Sequence, residues 1–75
     1  MDIVREFGQR MRVARGVAGL TQSEVAARAG IHRVTLAEFE AARSSPTVKV
    51  LARIAAALGV QPRDLFPLQT ARAGR

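Results

Sequence analysis

Apolar residues recur at helical spacing along most of this chain, and no stretch alternates strictly enough to compete as a strand. Ile3, Phe7, Met11 and Ala14 lie three or four apart, with Arg5, Arg10, Arg12 and Arg15 between them. That spacing predicts a first helix over residues 3–17, with Gly16 and Gly19 marking its end. Thr21 and Glu24 have the spacing of a capping box, in which the hydroxyl accepts from the third amide and the carboxylate reaches back. They place a second helix from Gln22 to Arg28, with Gly30 suited to the left-handed turn beyond it. A third helix is expected from Arg33 to Ala41, with Leu36 and Phe39 facing inward. Ser45 is the expected cap of a fourth helix, with Pro46 at its first position, where a missing amide costs nothing. Val48, Leu51, Ile54, Ala55 and Leu58 give that helix an apolar stripe, and Gly59 ends it. Pro62 starts a short fifth helix carrying Leu65 and Phe66, which Pro67 closes.

The expected fold is all-α: a compact five-helix domain with a central helix-turn-helix. Residues 1–68 form this domain and residues 69–75 a mobile basic tail. Phe7, Met11, Leu36, Phe39 and Ile54 are assigned to the core rather than to a cofactor site. Val60, Leu65, Phe66 and Leu68 either close that core or form an exposed apolar patch.

Composition narrows the function. The chain has 75 residues, enough for one domain, and 48% of them are hydrophobic. At this size only about 60% of the unfolded surface is buried, so stability depends on close packing or on oligomerisation. Twelve basic residues against six acidic ones give a net charge of +6. Such a balance favours a polyanionic partner, most often nucleic acid. There is no cysteine, hence no disulfide framework and no thiolate metal site. His32 is the sole histidine, so it reads as an exposed helix-start residue rather than a metal ligand. No apolar run is long enough to span a membrane, and the N-terminus lacks a signal-peptide pattern. A cytoplasmic location is the resulting expectation.

Catalytic constellations do not assemble. Ser23, Ser44 and Ser45 have no partner base beyond the single histidine. Glu38 and Glu40 lie two apart on a helix and do not face each other. No phosphate-binding glycine loop is present. The expectation is a protein that is not an enzyme, with no cofactor, metal or small-molecule ligand.

The stretch Thr21–Glu40, TQSEVAARAGIHRVTLAEFE, pairs two short helices about a glycine turn. It is the pattern that sets a second helix into the major groove. Ala26 is small where the two helices cross, and Val25, Ile31, Leu36 and Phe39 attach the pair to the other helices. The wider series is Leu20-Thr21-Gln22, Glu24-Val25-Ala26, Gly30-Ile31, Arg33, Thr35-Leu36, Glu40, Pro46, Leu51, Leu58-Gly59-Val60 and Asp64-Leu65-Phe66. Through it, residues 6–68 resemble the Cro/C1-type (XRE) helix-turn-helix family, which includes lambdoid phage repressors and restriction-modification controller proteins.

The resemblance implies a lambda repressor-like fold and a transcriptional regulator bound to double-stranded DNA as a homodimer. It implies base contacts from His32, Arg33, Val34, Ala37 and Glu38. Arg33 has the planar fork that matches guanine O6 and N7, Val34 suits a thymine methyl, and Glu38 suits a cytosine amino group. Phosphate contacts are implied for Thr21, Gln22, Thr35, Arg43 and Ser44, and Gln22 also for bracing the recognition helix. Arg15 and Glu40 are implied to form a structural ion pair between the first and third helices. A dimer through the C-terminal helical region makes Val60, Leu65, Phe66 and Leu68 interface candidates. Where the family often has glycine after the third helix, this chain has Ala41-Ala42, so a longer or differently ended helix is expected there. Arg10 and Arg12 read as a solvated face of the first helix, with phosphate contact as the alternative. The alternative function is an antitoxin-type interaction module that masks a partner toxin. A third reading is non-specific nucleic-acid binding, against which the lack of Tyr and Trp argues.

Overall fold

The periodic apolar residues fold into four α-helices: α1 (Ile3–Ala18), α2 (Gln22–Ala29), α3 (Arg33–Glu40) and α4 (Val48–Leu58). The structure is a computed structural model that describes residues 2–66. The all-helical expectation holds, with no strand among the described residues. The fifth element is a single 3₁₀ turn, Pro62–Leu65, rather than an α-helix. Phe66 is already extended at φ −103 and ψ 131, as a residue before proline is driven to be. That leaves too few residues for an α-helix to propagate. Leu68 and the expected tail, residues 69–75, lie outside the described residues.

Each α-helix starts and stops for a local reason. Asp2 caps α1 by accepting from the Arg5 amide at 3.1 Å. Gly16 lies inside α1, and Gly19 alone ends it. Both bonds of the Thr21–Glu24 capping box are made, at 2.8 and 3.1 Å. The fourth helix corrects the sequence reading by two residues. Thr47, not Ser45, is its cap, accepting from the Val50 amide at 3.2 Å, and Pro46 precedes the helix. Both hydroxyls suit a cap, and the path of the chain into α4 gives the position to Thr47.

All four helices end in paired backbone bonds of the Schellman type. In α2 the Ile31 amide donates to Ala26 O and the Gly30 amide to Ala27 O, with Gly30 left-handed at φ 72. At the end of α3 the Arg43 amide donates to Glu38 O and the Ala42 amide to Phe39 O. Here Ala42 takes the left-handed conformation, at φ 63. The helix therefore stops at Glu40, not Ala41, and stops as a glycine-terminated helix would.

The core gathers one face from every element. Met11, Val25, Leu36, Ile54 and Leu65 are fully buried, joined by Phe7, Ala26, Phe39, Leu51, Ala55 and Leu58. Burial of each large side chain is worth about 1.5–3 kcal/mol. Val48 leaves the expected stripe and is 82% exposed, while Val50 packs against the core in its place. Phe66 stacks on Phe7 with ring centroids 5.5 Å apart. Leu65, expected as an interface candidate, is 1% exposed and belongs to the core. It is unavailable to a partner.

One close approach sets the spacing of α1 and α3. Gly8 faces the end of α3 so tightly that a Cβ there would lie 2.6 Å from Phe39 O and 2.8 Å from Glu40 O. Backbone carbonyls cannot swing aside, so Gly8→Ala should destabilise the fold by about 2 kcal/mol or more in chemical denaturation. Ala42→Gly should do the opposite. It removes roughly 1–2 kcal/mol of left-handed strain against a smaller gain in unfolded-chain freedom, for a net stabilisation of about 0.5–1 kcal/mol.

Candidate nucleic-acid interface

The close approach at Gly8 brings the end of α3 to α1, where a carboxylate meets a guanidinium. Glu40 is buried, its side chain 4% exposed. A buried carboxylate is costly unless it is paired and hydrogen-bonded. Arg15 meets it in a fork: Nε donates to Oε2 at 2.8 Å and Nη2 to Oε1 at 3.1 Å. The third arm, Nη1, donates to Leu20 O at 3.1 Å. Gln22 Nε2 adds a further bond to Glu40 Oε1, at 3.1 Å. The hydrogen bond to Glu40 holds the Arg15 guanidinium above its ordinary value; burial opposes this, and the charge of Glu40 adds to it. The ion pair implied by the resemblance is therefore present. It ties α1, the turn after it, α2 and α3 together.

Two shallow surface depressions flank this network. Arg33, Val34, Ala37, Glu38 and Arg43 line one, on the outer face of α3. Arg12, Thr21, Gln22, Ser23 and Arg33 line the other, where α1 and α2 meet. Arg33 belongs to both, and its Nη1 donates to Gln22 Oε1 at 3.3 Å. Four of the five candidate base contacts thus share one surface. His32 stands beside them at the start of α3, exposed, with no side-chain capping bond. Val34 is 58% exposed. Thr35 is half-buried and lines neither depression; Ser44 is exposed and also lines neither. Val60 packs half-buried against the core, and Phe66 keeps an exposed edge.

Arg12 and Ser23 line the same depression as Thr21 and Gln22. Arg12 is exposed, as the solvated face of α1 requires, and Ser23 is a residue there that the sequence did not single out for DNA. Arg12, Arg33 and Arg43 are the exposed cations of the two depressions, and Glu38 is the one acid that lines them.

Among the described residues, no group of three or more His, Cys, Asp or Glu could hold a metal ion. No helix among them is long and apolar enough to cross a membrane.

Comparison with known proteins places this arrangement in a class. A family profile described as Helix-turn-helix matches residues 11–65. The chain belongs to this family, the Cro/C1-type (XRE) helix-turn-helix proteins, which are DNA-binding transcriptional regulators and not enzymes. It is 40% identical over 65 residues to an uncharacterized HTH-type transcriptional regulator, y4dJ, of Sinorhizobium fredii, covering 87% of this chain and 84% of that one. It is 31% identical over 65 residues to the control protein C.BamHI of Bacillus amyloliquefaciens, covering 85% and 80%. The crystal structure of the restriction-modification controller protein C.AhdI from Aeromonas hydrophila superposes with a TM-score of 0.82 at 32% identity, covering 84% of this chain and 96% of that one.

Two predictions follow from the geometry. Arg15→Lys keeps the charge but loses the fork and the bond to Leu20 O, and should lower the unfolding free energy by about 1–2 kcal/mol. The second concerns pH. Hydrogen bonds from Thr21, backbone first and hydroxyl second, hold the Glu24 carboxyl below its ordinary 4.5. A lowered carboxyl stabilises the fold above its unfolded value, and that contribution is lost as pH falls through the folded value. The melting temperature of the wild type should therefore drop towards that of Glu24→Gln as pH is lowered below 4.5.

Proposed function

We propose that this protein is a sequence-specific regulator of transcription that binds double-stranded DNA as a homodimer on a pseudo-palindromic site. The observation that carries this reading is the outer face of α3. Arg33, Val34, Ala37 and Glu38 line one shallow surface with Arg43, on a helix anchored at its far end by a buried ion pair. That is the arrangement a helix needs if it is to lie in the major groove in one fixed orientation. The net charge of +6 supplies the long-range attraction to phosphate.

In this reading Arg33 takes a guanine through O6 and N7, Val34 packs on a thymine methyl, and Glu38 accepts from a cytosine amino group. His32 and Ala37 complete the base-facing set. Thr21, Gln22, Thr35, Arg43 and Ser44 touch phosphates and fix register, and Arg12 joins them from α1. Phe66 and Val60 remain the candidates for the dimer contact, with Leu68 beyond the described residues. Half-sites would lie about one helical turn apart, roughly 34–36 Å. The likeness to controller proteins supports a role as a small controller or repressor.

The test is selection of bound duplexes from a random library at about physiological salt, with Arg33→Ala alongside. A palindromic consensus should emerge for the wild type. Arg33→Ala should lose about 1–3 kcal/mol on the best site and blur one position in each half. A folded protein that enriches no sequence would contradict the proposal.

A further inference from the structure

We infer that Arg53, on α4, holds a DNA backbone phosphate at the end of α2 opposite Thr21 and Gln22. The inference rests on the reading of this protein as a duplex-binding regulator, and adds a contact from outside the helix-turn-helix. Arg53 is exposed, and its Nη1 lies 3.5 Å from the place a Cβ on Gly30 would take. Gly30 ends α2 at the turn into α3. The guanidinium therefore stands at the turn that leads into His32 and Arg33.

No acid accounts for a cation at this place. α4 carries none, and the exposed Lys49 shares its outer face one turn before Arg53. Like charges so spaced repel, and a cation in the first turn of a helix opposes the helix dipole. The first turn of α3 carries no acid either. Glu24, the acid of α2, is held in the capping box at the far end of that helix, with Arg28 one turn along. Among the described residues the ion pair is Arg15–Glu40, at the other end of α3. Arg53 thus keeps its charge for a partner, and its planar fork fits two phosphate oxygens at once.

The length of α2 gives this cation its place on a duplex. The helix has eight residues, which span about 12 Å. The major groove is about 12 Å wide. With Thr21 and Gln22 at the phosphates on one edge of the groove, the turn at Gly30 stands at the other edge. Arg53 reaches that turn from α4. The two ends of α2 then rest on opposite strands, and α3 is held in the groove from both edges. The rival role is structural: a cation at the end of α2 can also cap its last carbonyls.

The test measures affinity against salt on the duplex selected by the wild type. Each phosphate contact contributes about 0.9 to the slope of log K against log salt. Arg53→Gln should lower the slope by about that amount and weaken binding about fivefold at physiological salt, with base preference unchanged at every position. Arg53→Lys should keep the slope. Arg63→Gln removes the same charge from the exposed surface of the 3₁₀ turn, which packs on α1 and α4, and should leave the slope as it is. Arg53→Met serves as a second variant should Gln fold poorly. An unchanged slope on loss of Arg53, or an equal fall in Arg63→Gln, would overturn the inference. A lower melting temperature with the slope intact would make Arg53 a cap for α2 instead.

Replacing phosphates one at a time by neutral methylphosphonate locates the contact. One replacement should weaken the wild type and leave Arg53→Gln indifferent, and it should lie across the groove from the replacement to which Gln22→Ala is indifferent. No such phosphate, or one on the same edge, contradicts the placement. If no duplex is selected, the function proposed above fails, and the same slopes on a mixed-sequence duplex decide Arg53. A wild type that binds no duplex overturns both.

Discussion

A single buried carboxylate, Glu40, constrains most of what this domain does. Burying a charge is unfavourable on its own, and the fold meets that cost with one guanidinium in fork geometry and one amide. The donors come from α1 and α2, so the charge is satisfied only when α3 lies at one angle to both. Gly8 permits the approach by presenting bare backbone to the end of α3. Apolar packing of Leu36 and Phe39 would tolerate small rotations of α3; the fork at 2.8 and 3.1 Å tolerates fewer. The pair therefore fixes the orientation of α3 more than it adds to stability.

The same network decides which cations are left at the surface beside it. Arg15 is spent on Glu40 and on Leu20 O, and is not free for phosphate in this arrangement. The exposed cations at the surface are Arg12, Arg33 and Arg43, spread across two adjoining depressions. Arg33 sits where those depressions meet. Its Nη1 donates to Gln22 Oε1 at 3.3 Å.

Much of this was legible in the residues, for reasons that differ from place to place. The Thr21–Glu24 box and the left-handed Gly30 depend on neighbours three or four residues away, so local pattern suffices. The inward faces of α3 and most of α4 follow from helical spacing. The Arg15–Glu40 pair spans 25 residues and no local rule reaches it; resemblance to the family supplied it. What stayed hidden depended on packing or on competition between equivalent residues. Ser45 and Thr47 are both good caps, and only the path of the chain chooses between them. Ala42 adopts a conformation that alanine disfavours, because the paired bonds closing α3 and the loop beyond it impose it. Leu65 and Phe66 look alike in sequence, yet one fills the core and the other keeps an edge in water. Gly8 sits at an ordinary position within a helix, and its role appears only when α3 is laid across it.

A double-mutant cycle on Arg15→Ala and Glu40→Ala, read by chemical denaturation, tests the central claim most directly. If the buried pair holds α3 in place, the two residues should be coupled by about 2 kcal/mol or more, with each single variant nearly as destabilised as the double. Additive losses, with coupling below about 0.5 kcal/mol, would mean that α3 is held by apolar packing alone and would contradict the account.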